Sequence, residues 1–269
     1  MSVATTLTAE AVRDASRRRI VAAIVLLSLG SLLLVDGCTT CSGSNVTING
    51  EARNIEDLAG ATGTTLFVVL GLWICLLAGI LGSDHLQQTL DDGSATLCLS
   101  RPVSRRQFAL ARLVGALSVA LGSGLLLLGV TAALLHLRSG LPLAPALNAT
   151  LACVLGATTC AAIGMTLSLV LPRLASLFAV FAVIAGTTLA NIVARIDPGP
   201  GLLSTLDQAG PPLAAAMWTA LDPWVGAVSL ADAATPGAWF VPAWLRLALW
   251  AAGSVAALAW TFQRHEIRS

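Results

Sequence analysis

The stretch TTLFVVLGLWICLLAGILG, residues 64–82, carries no charged side chain and no proline. Wound at 1.5 Å per residue it makes a rod about 28 Å long, close to the ~30 Å of hydrocarbon that a membrane span must cross. Similar apolar runs lie on both sides of it, at about 20–35, 113–137, 150–171, 176–194 and 241–262. The first is short for a span. The last contains Arg246, which is expected near one interface with its guanidinium snorkelling toward lipid headgroups. The chain is 56% hydrophobic and 11% charged, against about 25% charged for a soluble domain, so most of its surface does not face water. The expected fold class is an all-α integral membrane protein, one transmembrane domain over residues 1–269 with about six spans.

All 15 basic residues are arginine, and their placement says more than the net charge of +1. Arg13, Arg17, Arg18 and Arg19 precede the first span, and Arg101, Arg105, Arg106 and Arg112 follow the second. Arg173 joins the fourth and fifth, and Arg264 and Arg268 follow the sixth. With six spans all of these share one side. Arg53, Arg138, Arg195 and Arg246 fall on the other, together with most of the acidic residues. Basic segments stay cytoplasmic, which puts both termini on the cytoplasmic side.

Residues 7–19, LTAEAVRDASRRR, place Leu7, Ala11, Val12 and Ala15 on one side of a helix and charge on the other. That suits an interfacial helix ahead of the first span; a solvated tail is the alternative. SRRRIV at 16–21 has the form of a twin-arginine export signal, and LLVDGC at 33–38 that of a lipoprotein cleavage box. Asp36 is poorly suited to such a cleavage, and five further spans make an uncleaved first helix simpler.

The first outer loop, about 36–63, holds Cys38 and Cys41, an Asn45-Val-Thr sequon and the turn signal Asn49-Gly50. On an oxidising face Cys38 and Cys41 are candidates for a disulfide; a soft metal is the alternative, with no His or Met cluster to support it. Cys75, Cys98, Cys153 and Cys160 lie in or beside spans and read as inert fillers. In the last outer loop, about 195–240, PLAAAMWTALDPWVGAVSL with Trp218 and Trp224 predicts a short helix resting at the outer interface.

The chain has no GxxxxGK[ST] loop and no lysine to build one. It has no HExxH, GxSxG or paired CxxC motif, and His85, His136 and His265 are far apart. No catalytic, cofactor-binding or metal-binding residue is therefore expected. Ionisable residues inside spans mark ion pathways, and the span centres contain almost none. Energy for any movement is expected from outside the chain.

Charge concentrates instead in residues 84–105, between the second and third spans. Ser104 and Gln107 have the capping-box spacing, with Val103 and Phe108 placed as its hydrophobic staple. The third helix should start near Arg105, and Pro102 fixes the turn ahead of it. Upstream, Leu86 and Leu90 are four apart in a polar stretch that Gly93 can end. The result is a stiff, partly helical hairpin with Leu97 and Leu99 available for docking.

LDDGSATLCLSRPVSRRQFALARLVGAL, residues 90–117, resembles the signature of the type-2 exporter family of ABC transporter permeases, which falls at the same place after the second span. Matching positions are Asp91, Gly93, Ser94 (usually threonine in the family), Leu97, Leu99, Ser100, Arg101, Pro102, Val103, Ser104 and Arg105. EAVRDASRRR is similar to the family's interfacial elbow helix and FQRHEIRS to its basic tail. The resemblance implies that Asp91, Gly93, Ser94, Leu97, Leu99, Arg101, Pro102, Ser104 and Arg105 form a coupling segment inserted into a cytoplasmic ABC ATPase. It further implies a second permease copy, contact with membrane lipid, no nucleic acid, and ATP bound only on the partner subunit. The expected location is the prokaryotic cytoplasmic (inner) membrane, and the expected function is that of an exporter's permease. The alternative is a membrane protein that transmits force to a periplasmic partner without moving cargo. Asn148, Thr150, Thr158, Thr159, Thr187, Thr188 and Asn191 would suit an amphipathic cargo, but such residues also serve helix packing.

Overall fold

A computed structural model describes residues 9, 13, 29–30, 46–48, 51–53, 55–91, 104–196, 202–225 and 243–264. Among them run seven helices: α1 (Ile55–Asp91), α2 (Arg105–Ser139), α3 (Leu143–Ser168), α4 (Arg173–Ile196), α5 (Leu202–Ala209), α6 (Leu213–Val225) and α7 (Ala243–Arg264). Five stretches are long and apolar enough to cross a membrane: Thr62–Asp84, Arg105–Ser139, Leu143–Ser168, Leu174–Val193 and Ala243–Arg264. The protein is an all-α integral membrane protein. Of the first expected span, 20–35, only Leu29 and Gly30 are described, both helical. Of the elbow, Ala9 and Arg13 are described, also helical.

The strands β1 (Val46–Ile48) and β2 (Glu51–Arg53) pair antiparallel with Ile48 opposite Glu51. That register leaves Asn49 and Gly50 as the connection, a pair suited to a two-residue hairpin turn.

Helices α1 and α2 outrun the bilayer. Their 37 and 35 residues give rods of about 55 and 52 Å, so α1 continues past its apolar part to Asp91 and α2 begins well before the apolar run at 113. The far end of α2 stops at Gly140, whose φ of 68° is left-handed. Its N–H donates to the His136 carbonyl at 3.0 Å, an ending that a side chain with a Cβ would strain. Arg105, Arg106, Arg112 and Arg264 gather at one end of the bundle, hereafter the basic end.

The most extensive contact is between α1 and α3, and glycine makes it. A Cβ on Gly164 would lie 2.6 Å from the Gly79 carbonyl oxygen, and one on Gly82 would lie 2.7 Å from that of Ala161. Lipid tails are as apolar as leucine, so close backbone approach between small residues is what drives such helices together. The thiols of Cys75 and Cys153 donate across the same contact, to the Cys153 carbonyl at 3.8 Å and the Gly71 carbonyl at 3.7 Å. Thr150, Thr158, Thr159, Thr187 and Thr188 each donate to a carbonyl one turn back in their own helix. This satisfies their hydroxyls without a partner helix.

The stretch around Trp218 and Trp224 corrects the sequence reading. Helix α6 does not rest on the outer interface; it lies inside the bundle against α1 and α3, with Leu213, Met217, Leu221 and Trp224 buried. A Cβ on Gly156, midway along α3, would sit 2.5 Å from Leu213 Cδ1, and one on Gly71 would strike Met217 Cε. At the other end of α6, Trp224 Nε1 donates to the Pro142 carbonyl at 2.8 Å and the indole meets Phe67 edge to face, centroids 5.4 Å apart. Helix α5 descends beside α4, the chain turns at Gly210-Pro211-Pro212, and α6 climbs back. The pair is re-entrant, dipping to mid-depth without crossing.

Candidate functional site

Burial of a turn at mid-depth creates an electrostatic problem, because the last carbonyls of α5 and the first N–H groups of α6 have no intrahelical partners. Pro212, just ahead of α6, lacks an N–H, which removes one of those donors, and the Leu213 N–H donates to the Pro211 carbonyl at 2.8 Å. Arg246 supplies the carbonyls. Its Nη2 donates to the carbonyls of Asp207 (2.8 Å), Gln208 and, more distantly, Gly210 (3.5 Å). Asn191 Nδ2 on α4 donates to Asp207 Oδ1 at 3.1 Å. Arg246 therefore does not snorkel to headgroups as the sequence suggested. It caps the part-buried end of α5 against the bundle, where a cation is favoured by the helix dipole and irregular backbone is tolerated only with such partners.

At the basic end, Ser104 caps α2. Its hydroxyl accepts from Gln107 N–H at 3.2 Å, while Gln107 Oε1 accepts from Ser104 N–H at 3.3 Å, a complete capping box. Phe108 behind it is fully buried and stacks on Phe262 of α7, centroids 5.9 Å apart at 23°. Arg106 Nη2 donates to Gln263 Oε1 at 2.8 Å, and the Arg112 guanidinium lies 5.4 Å over the Phe108 ring. The start of α2 is thus welded to the last turn of α7. Phe262 and Gln263 had no sequence signal for this role, since it depends on two segments far apart in the chain meeting at one end.

Of the expected coupling residues, Asp91 is the last residue of α1, Ser104 the cap of α2 and Arg105 its first residue. The fold brings these three to one end of the bundle. Gly93, Ser94, Leu97, Leu99, Arg101 and Pro102 lie outside the described residues, as do Cys38 and Cys41.

Between α1 and α4 runs a groove of about 420 Å³, lined by Val69, Trp73, Leu76, Phe181, Thr188 and Ile192 among others. Trp73 stands at the centre of the Thr62–Asp84 span and is 47% exposed; Phe181 is 54% exposed. Tryptophan that faces lipid belongs at the membrane interfaces, where its N–H finds water. A half-exposed tryptophan at mid-depth is out of place on a lipid-facing surface.

Five helices long and apolar enough to cross a membrane define a multi-pass membrane protein. The chain matches the family model described as ABC-2 family transporter protein over residues 8–211, most of its 269 residues. It belongs to that family, and is accordingly a membrane-spanning permease subunit of an ABC transporter. A comparison with curated proteins found no match.

Proposed function

We propose that the chain is the permease of an ATP-driven exporter in the prokaryotic inner membrane, working as two copies on a separate cytoplasmic ATPase. The observation that carries this reading is the capped start of α2. The Ser104–Gln107 box and the Phe108–Phe262 stack fix the point where the coupling segment enters α2 firmly to the last turn of α7. The arginines at the same end make it the cytoplasmic one, with both termini on that side. ATP binds only on the partner, and no nucleotide chemistry is needed in the permease.

The second copy sits across the α1–α4 groove, so that Trp73 and Phe181 face each other's copies instead of lipid. Two grooves then line one path of apolar walls with Thr188 hydroxyls, suited to an amphipathic cargo. Such a path favours transport over the alternative of force transmission alone.

The test is copurification of the chain in mild detergent with a cytoplasmic ABC ATPase subunit from the same cells. Leu97→Asp and Leu99→Asp are expected to abolish association at normal membrane expression, because burying an unpaired charge costs several kcal/mol. If both variants hold the ATPase at wild-type strength, residues 84–105 are only a connector and the reading fails.

A further inference from the structure

Helix α7 makes specific contacts at both of its ends. Near its start, Arg246 holds the carbonyls of the α5–α6 turn. In its last turn, Phe262 and Gln263 hold Phe108 and Arg106 of α2. The two anchors are sixteen residues apart, about 24 Å along a helix. Between them the buried face runs through Leu247, Ala251, Ser254 and Leu258 and packs on α3, with the small residues Ala251 and Ser254 at its middle. One flank is open: Gly253 has no atom within 4 Å of a Cβ built on it, and a groove of about 390 Å³ separates this flank from Ile163 and Thr166 of α3. A stiff helix fastened at both ends passes displacement from one end to the other.

The far anchor is suited to release. Helix α5 is short, and the side chains of Leu202, Thr205, Leu206, Gln208 and Ala209 are all exposed. Its contact with α4 includes Asn191 on Asp207, and one Arg246 nitrogen is shared among the carbonyls of Asp207, Gln208 and Gly210 at its end. Asn191 Oδ1 is itself buried without a partner. The closed arrangement leaves one acceptor unsatisfied, a cost that favours an alternative geometry.

We propose that α7 is a tie rod: movement of the start of α2 at the basic end shifts α7 and withdraws Arg246 from the α5–α6 turn, freeing the re-entrant pair to open. Arg246 is the positioning residue of this device. The inference rests on the reading of the chain as an ATPase-driven permease, since it names how the coupling segment's motion reaches the far side. A device of this kind has two arrangements, turn held and turn released, and both ends of α7 bias the same equilibrium.

The experiment uses the full chain alone in nanodiscs, so that it is independent of whether an ATPase binds. Gln208, exposed beside the turn, is replaced by cysteine and its reaction rate with a water-soluble maleimide is measured against the same chain without that substitution. Arg246→Met is expected to raise the rate roughly tenfold, the scale of a lost charged hydrogen bond, and Arg246→Lys by less. Phe262→Leu and Gln263→Ala, at the opposite end, are each expected to raise it about threefold, and Phe262→Leu should add nothing on top of Arg246→Met. If Arg246→Met alone changes the rate while both basic-end substitutions leave it at the wild-type value, Arg246 is a static cap and the tie rod is overturned. Full additivity of Phe262→Leu with Arg246→Met would overturn it too. Failure of ATPase association, by contrast, would count against the proposed function only.

Discussion

Ser104 and Gln107 complete each other's hydrogen bonding within a single turn, so the outcome of one substitution can be stated closely. Ser104→Ala leaves the first turn of α2 with an unmet N–H and should cost about 1 kcal/mol. Thermal unfolding in detergent should show a small drop, with normal insertion and a partial loss of ATPase association. The box was legible because its partners are three residues apart and the chemistry is local. Arg246 was not. Its partners are backbone carbonyls 36–39 residues upstream, and a carbonyl leaves no mark in a sequence. Headgroups were the reasonable expectation for a lone arginine near the edge of an apolar run; the end of α5 offered a better set of acceptors.

Among elements, the α1–α3 contact and α6 carry opposite lessons. Gly164→Leu drives a side chain into the Gly79 backbone, which cannot yield as a side chain can, so a loss of 1–3 kcal/mol or more is expected, on the order seen for overpacked cores. Gly129→Leu on α2 meets nothing within 4 Å and should be neutral; thermal unfolding of the pair separates contact from composition. Trp224→Phe keeps the ring edge on Phe67 but drops the hydrogen bond to the Pro142 carbonyl, for an expected loss of about 1 kcal/mol. The long helices could be read from apolar run length alone. The placement of α6 could not, because an apolar segment with two tryptophans fits an interface as well as a slot. The slot is made by Gly71 and Gly156, and only the assembled bundle brings those two glycines to one place.

For the whole molecule, the position of Trp73 separates the two faces of the bundle. If a second copy covers the α1–α4 groove, Trp73→Cys should cross-link to its own counterpart on mild oxidation, giving a dimer band absent from the parent chain. Leu126→Cys, on a 70% exposed part of α2 away from the groove, should give none. A dimer band of equal strength from both positions would mean random collision and would remove the two-copy arrangement. The five spans Thr62–Asp84, Arg105–Ser139, Leu143–Ser168, Leu174–Val193 and Ala243–Arg264 were visible in the sequence as apolar runs. Which helices face each other across a copy was not, since lipid-facing and partner-facing surfaces are equally apolar.

The Arg246 cap also sets an order on biogenesis. The α5–α6 turn is synthesised before α7, yet the donor for its carbonyls resides on α7. Until residue 246 has left the ribosome and entered the bilayer, the turn's carbonyls lack this donor at a depth where unpaired carbonyls are costly. The pair is therefore expected to reach its final arrangement only after the helix that follows it in the chain. A chain truncated after residue 242 should insert its earlier spans and still leave the turn in water, open to protease from the far side, so that the final helix acts as the closing step of assembly for a segment made before it.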